Sequence, residues 1–128
     1  MSRLNNSIEK RRYPRFLMDL PLEYRLIDIF HAHGALVVNA SEAGLLIKSV
    51  ENIPIGANLD ILVLFPKEFE LVNFEVLAEV VWNNTYLKES WKGYQCGLNF
   101  TSIKEQDRWK LRQLLRGRFN LDGIWYNL

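Results

Sequence analysis

The middle of the chain alternates. In Leu20-Pro21-Leu22-Glu23-Tyr24-Arg25-Leu26 the even positions are apolar, and in Phe74-Glu75-Val76-Leu77-Ala78-Glu79-Val80-Val81-Trp82 they are again. Tyr94-Gln95-Cys96-Gly97-Leu98-Asn99-Phe100 repeats the pattern. A period of two predicts strands with one face in a core. By that parity Trp82 belongs with the core or its rim, and Cys96 with the core. Shorter apolar runs at 35–38, 45–47 and 59–65 predict three more strands. Turn signals separate them: 39–44, Pro54 with Gly56, Pro66-Lys67-Glu68, and the polar stretch 83–93. About six strands at short spacing predict an all-β antiparallel barrel or sandwich rather than βαβ units.

One helix follows the strands. Ser102-Ile103-Lys104-Glu105 matches a capping box, with Ser102 as the cap and Glu105 reaching back. Leu111, Leu114 and Leu115 then give an apolar stripe, and Gly117 is a stop. The helix is expected to cover one open end or face of the barrel. Residues 1–8 read as a flexible arm, 9–116 as the compact domain and 117–128 as an aromatic tail.

With 128 residues, 48% of them hydrophobic, the chain suits one domain with a real core. The net charge of +1 argues against a polycation that coats nucleic acid. Its distribution is uneven, however. Residues 1–15 hold Arg3, Lys10, Arg11, Arg12 and Arg15 against Glu9 alone, a net +4, so the remaining 113 residues sum to −3. An anionic partner is therefore expected at the N-terminus. The single cysteine excludes an intrachain disulfide and fits a reducing compartment. No apolar run approaches the ~20 residues of a membrane-spanning helix, and the N-terminus lacks a signal-peptide core. The expected location is the cytoplasm, without membrane insertion.

Two motifs carry the candidate chemistry. Arg11-Arg12-Tyr13-Pro14-Arg15 is an R-x-x-x-R just before the first strand. Guanidiniums bind phosphates and the O6/N7 edge of guanine in a two-pronged way, and they stack on bases. Asn39-Ala40-Ser41-Glu42-Ala43-Gly44 is an N-x-S-x-x-G at the turn between two strands. Asn39 and Ser41 offer compact polar groups to a base edge. Gly44, lacking Cβ, permits a φ > 0 turn or the approach of a flat ligand. Each motif alone is commonplace, as a solvated basic arm or an ordinary turn.

Their order and placement resemble the PilZ domain family, and 94–100 followed by a turn and a helix resembles that family's closing strand and helix. The resemblance covers roughly residues 9–116. It implies a six-stranded antiparallel PilZ-type β-barrel with a C-terminal helix, cyclic di-GMP as ligand and no catalysis. It implies that Arg11 and Arg15 grip phosphates and guanine edges, and that Asn39, Ser41 and Gly44 meet a guanine. Arg12 would be an accessory contact. Lys10 would bear on whether one or an intercalated pair of ligand molecules binds. Trp82 would lie beside the ligand as in some relatives. The output would be conformational, passed to a downstream protein that controls motility, adhesion or exopolysaccharide. The alternative is an interaction-only relative that works through protein contacts without nucleotide, and nucleic-acid binding by the basic arm is the weakest reading.

Other residues read as structural. His31-Ala32-His33 places two imidazoles on one strand face without a third metal ligand. Glu75 and Glu79 share the solvated parity of their strand. No cofactor is called for, and no G-x-S-x-G, P-loop, H-E-x-x-H or C-x-x-C motif is present.

Overall fold

The computed structural model describes residues 16–67, 69–88 and 91–116. Six strands run in chain order: β1 (Phe16–Leu26), β2 (His33–Ala40), β3 (Gly44–Ser49), β4 (Asn58–Lys67), β5 (Glu70–Lys88) and β6 (Trp91–Ser102). They pair antiparallel in the order β1-β2-β3-β6-β5-β4 and close into a barrel through the β1–β4 ladder. One helix follows, α1 (Glu105–Leu115).

The alternation places the core as expected. Leu20, Leu22 and Tyr24 of β1, Ile61, Val63 and Phe65 of β4, and Phe74, Val76, Ala78 and Val80 of β5 are all buried. Cys96 and Leu98 of β6 join them. Removing this apolar surface from water is the main drive to close the barrel. Burial pushes the Tyr24 phenol up to about 12, with Glu51 and Cys96 adding to the rise. Burial likewise pushes the Cys96 thiol up, against weaker opposing hydrogen bonds from Ile53 and Ser49. Of the two histidines only His33 lies in β2, where its ring stacks on Tyr24 at 5.3 Å. His31 precedes the strand, so the two imidazoles do not share a strand face.

The helix closes the end of the barrel that carries the β2–β3 turn. Leu111, Leu114 and Leu115 are buried there. Its start differs from the expected capping box. Ser102 pairs with Leu77 as the last residue of β6, so it is committed to the sheet. Lys104 occupies the N-cap position without a side-chain cap. Asp107, in the first turn, reaches across to β5 instead. Beyond the Leu77–Ser102 pair, β6 no longer accompanies β5. On that exposed edge the Glu75 amide donates to Asp107 Oδ1 at 3.2 Å, and Lys110 Nζ donates to the Asn73 carbonyl at 2.9 Å. Helix side chains thus satisfy an edge that a seventh strand would otherwise cover.

The polar stretch 83–93 is also not a separator. β5 continues through it to Lys88 and pairs with β6 down to the Lys88–Trp91 match, forming a two-stranded ribbon. Polar residues suit such a ribbon because both its faces meet water. Likewise β4 includes Pro66 and Lys67, and the turn to β5 is shorter than the three-residue signal implied. Among the described residues no helix is long and apolar enough to cross a membrane.

Candidate functional site

Among the described residues four register shifts interrupt the ladders, and three of them, apart from the one between Leu77 and Ala78, shape one outer face of the barrel. Between Val37 and Asn39 the β2–β3 register slips by one residue. Val37 is buried, Val38 and Asn39 are half-buried, and Ala40 is buried again. The extra residue therefore turns Asn39 outward before the motif turn begins. A second slip lies between Val80 and Trp82. Val80 is buried, whereas Val81 and Trp82 are 40% and 39% exposed. The period-two pattern put Trp82 with the core or its rim. The bulge reverses the parity at Val81 and sets the indole on the outer surface. A third slip, between Leu17 and Leu20, adjusts β1.

The result is one outward row across five strands. Leu17 pairs with Asn39, Asn39 with Leu46, Leu46 with Gly97 and Gly97 with Trp82. Directly paired residues show the same face. The flanking Ala40, Leu45, Leu98 and Val80 are buried, so this row faces out. Leu17 is 81% exposed. The Trp82 ring lies over Gly97: a Cβ built there would sit 2.1 Å from the indole nitrogen. Gly97 thus seats the ring flat against the sheet. Leu17, Leu46 and Gly97 escaped notice in the sequence because nothing local marks them, and cross-strand register alone lines them up.

The motif turn is built by its own residues. The Ser41 amide donates to the Gly44 carbonyl at 2.9 Å, and the Ala43 amide donates to Ser41 Oγ at 3.1 Å. Ser41 is buried, so much of its polarity serves the turn. The Phe100 amide donates to the Ala43 carbonyl at 2.9 Å and ties the turn to β6. Gly44 does not adopt a positive φ. Its missing Cβ serves a close backbone approach, since a Cβ there would lie 2.0 Å from the Leu98 carbonyl oxygen. The glycine is thus required by the β3–β6 contact, whatever a ligand asks of it. Glu42 accepts from Arg112 Nε at 2.8 Å and joins the turn to α1.

The structure therefore brings Asn39 and Trp82 onto one outer face and sets Ser41 and Gly44 in the adjoining turn. Lys10, Arg11, Arg12 and Arg15 lie outside the described residues. Leu17, at the start of the row, is two residues after Arg15. Among the described residues no group of three or more metal-ligating side chains is assembled.

Comparison with solved structures finds the same barrel elsewhere. The Bacillus subtilis inhibitor of motility (MotI/DgrA) matches with a TM-score of 0.67 and 19% identity, covering 85% of this chain and 50% of that one. The PilZ domain of YcgR from Escherichia coli, solved with cyclic di-GMP, matches with a TM-score of 0.62 and 13% identity, covering 82% of this chain and 88% of that one. The K. pneumonia MrkH–cyclic di-GMP complex matches with a TM-score of 0.58 and 15% identity, covering 85% and 52%. The chain spans about half the length of the MotI and MrkH chains. A search of curated proteins returned no match. At these identities the structural likeness establishes the fold. The family model for the PilZ domain matches residues 9–117, a span that includes both motifs and the barrel with its helix. By that match the chain belongs to the PilZ domain family, a cyclic di-GMP-binding family whose domains are non-catalytic.

Proposed function

We propose that this protein is a cyclic di-GMP receptor that acts as an adaptor, changing conformation on binding and signalling to a downstream protein. The observation that carries this is the outward row Leu17–Asn39–Leu46–Gly97–Trp82, which begins beside the arginine motif and ends at an exposed indole. A flat purine needs an apolar surface, a few polar groups at its edge and cations for its phosphates. Leu17, Leu46 and Trp82 supply the surface. Asn39 and the turn at Ser41 and Gly44 supply edge groups. Arg11 and Arg15 supply two-pronged cations, with Arg12 as an accessory contact and Lys10 beside them. Pro14 restricts the backbone between the arginines, so less ordering entropy is lost on binding. The YcgR PilZ domain and MrkH, both solved with cyclic di-GMP, support carrying this ligand over. The motility inhibitor among the relatives supports motility as one output.

Isothermal calorimetry of the full chain with cyclic di-GMP tests the reading, with GTP as control. Saturable heat for cyclic di-GMP alone is expected, and the fitted ratio decides between one and two ligands per chain. Arg15→Ala is expected to abolish binding while leaving the circular dichroism spectrum unchanged. Retained affinity in that variant removes Arg15 from the site. No heat from the folded wild-type protein rejects nucleotide binding and favours the interaction-only alternative.

A further inference from the structure

The β1–β2 loop builds an open apolar groove of about 400 Å³ on the outside of the barrel. Ile27, Ile29 and Phe30 form its wall, and Leu77 of β5 lies at its base. Two backbone bonds hold the wall in place. The Ile27 amide donates to the Asn58 carbonyl at 3.1 Å, and the Ile29 amide donates to the Leu26 carbonyl at 3.0 Å. Between them Asp28 turns the chain at φ 80°, in the left-handed region that aspartate tolerates better than most residues. Phe30 is left 94% exposed and Ile29 48%. Apolar groups this exposed and this close together mark an interaction surface.

The charge around the groove is negative. Asp28 and Asp60 line it. The Glu75 carboxyl hydrogen-bonds Asp60 and has Asp107 nearby. Arg25, 3.7 Å from Asp60, and Lys104, near Glu75, offset only part of this. An occupant should therefore bring an apolar anchor with cations beside it.

The outside of α1 is such a surface. Asp107, Leu111, Leu114 and Leu115 take the buried side of the helix. Glu105, Trp109, Arg112 and Arg116 follow at i, i+4, i+7 and i+11, which stacks them on the opposite face. All four are exposed, Trp109 by 55%. Glu42 pairs with Arg112 at 2.8 Å, so Arg108 and Arg116 supply the cations beside the indole. Tryptophan and arginine together are the side chains that most often anchor protein interfaces.

We propose that the chain pairs with a second copy of itself, the Trp109 face of each α1 seated in the Ile27–Phe30 groove of the other. The shapes agree. The helix face is convex and carries one large ring, and the groove is near the small end of the roughly 300–1,000 Å³ that hold compact ligands. The charges agree, because arginines meet aspartates. The positions agree as well. Leu77 pairs with Ser102, and α1 starts three residues after Ser102. The two patches therefore adjoin on each copy, and a twofold axis satisfies both contacts at once and closes assembly at two. This contact does not rest on the nucleotide-binding reading.

Sedimentation velocity of the full chain across a concentration series tests the pairing. The variants are Phe30→Glu and Trp109→Glu, both at exposed positions, so their circular dichroism spectra are expected to match wild type. Wild type is expected to dimerise, and each variant to weaken the dimer at least about tenfold, as the loss of a buried aromatic anchor does. Phe30→Ala and Trp109→Ala are expected to weaken it too, which covers the case in which a glutamate perturbs its surroundings. Mixing the two glutamate variants is the decisive arm. Each keeps the patch that the other has lost, so the mixture recovers one of the two contacts and associates more tightly than either variant alone. A dimer that survives either variant, or variants that fail to complement each other, overturns the proposal. A wild type that stays monomeric at millimolar concentration also overturns it, and leaves the groove to a basic, aromatic segment of a different protein.

Discussion

Replacing Gly44 by alanine tests whether the glycine of the motif is there for the barrel. The added Cβ would lie 2.0 Å from the Leu98 carbonyl oxygen, 3.2 Å from its carbonyl carbon and 3.5 Å from the Asn99 Cα. All three are backbone atoms of the paired strand, so no side chain can swing aside. A relaxed carbon–oxygen contact is about 3.3 Å, so β3 and β6 must part by roughly 1.3 Å at this point. The bond of 2.9 Å from the Phe100 amide to the Ala43 carbonyl spans this same gap between the turn and β6. Stretched by that amount it passes beyond useful length. Losing it at about 1 kcal/mol, with overpacking of about 1–3 kcal/mol, gives a destabilisation of about 2–4 kcal/mol. Domains of this size hold roughly 5–15 kcal/mol, so the variant should still fold, with a Tm lower by about 5–15 °C. Urea unfolding followed by far-ultraviolet circular dichroism measures the change. Gly34→Ala is the control: it lies in β2 with nothing within 4 Å of a built Cβ, so a shift within about 0.5 kcal/mol is expected. A Gly44→Ala variant within 1 kcal/mol of wild type would refute the reasoning. So would equal losses in the two variants, because they would point to a general cost of alanine in these strands.

Two further outcomes follow from the seam between helix and sheet. Asp107→Ala leaves the Glu75 amide without its acceptor and is expected to cost about 1–3 kcal/mol, with Asp107→Asn losing less because it keeps a carbonyl; chemical denaturation of both variants checks this. The hydrogen bond with Asp60, then burial and the nearby carboxylates, hold the Glu75 carboxyl above its ordinary 4.5, against the opposing pull of Lys104. The folded state therefore binds this proton more readily than the unfolded chain does. Its contribution to stability grows as pH falls from neutral through the folded value, and is lost above it. Because Glu75 is solvent-exposed, the effect is screened and small. Urea midpoints between pH 7 and 5 should rise less in Glu75→Gln than in wild type, and identical slopes would dismiss the coupling.

The strands were legible in the sequence because a period of two is a local property. Leu20, Leu22 and Tyr24 reach the core by alternation alone. So do Phe74, Val76, Ala78 and Val80, up to the point where a bulge intervenes. The helix stripe at Leu111, Leu114 and Leu115 was legible for the same reason, as was the order of the two motifs that pointed to the family. What escaped was anything that depends on a partner strand. The bulges at Val38 and Val81 exist only because β2 and β5 must match neighbours whose residue spacing differs from their own. They turn Asn39 and Trp82 outward and assemble the surface proposed for the nucleotide. Ser102 matched a capping box locally but is held by Leu77, 25 positions earlier in the chain. Gly44 read as a turn or ligand glycine, and the Leu98 carbonyl makes it a packing glycine. Local periodicity determined which residues form strands and which face of each seeks the core. The closing of the barrel decided which residues share its outer face, because register is settled between strands and not within them.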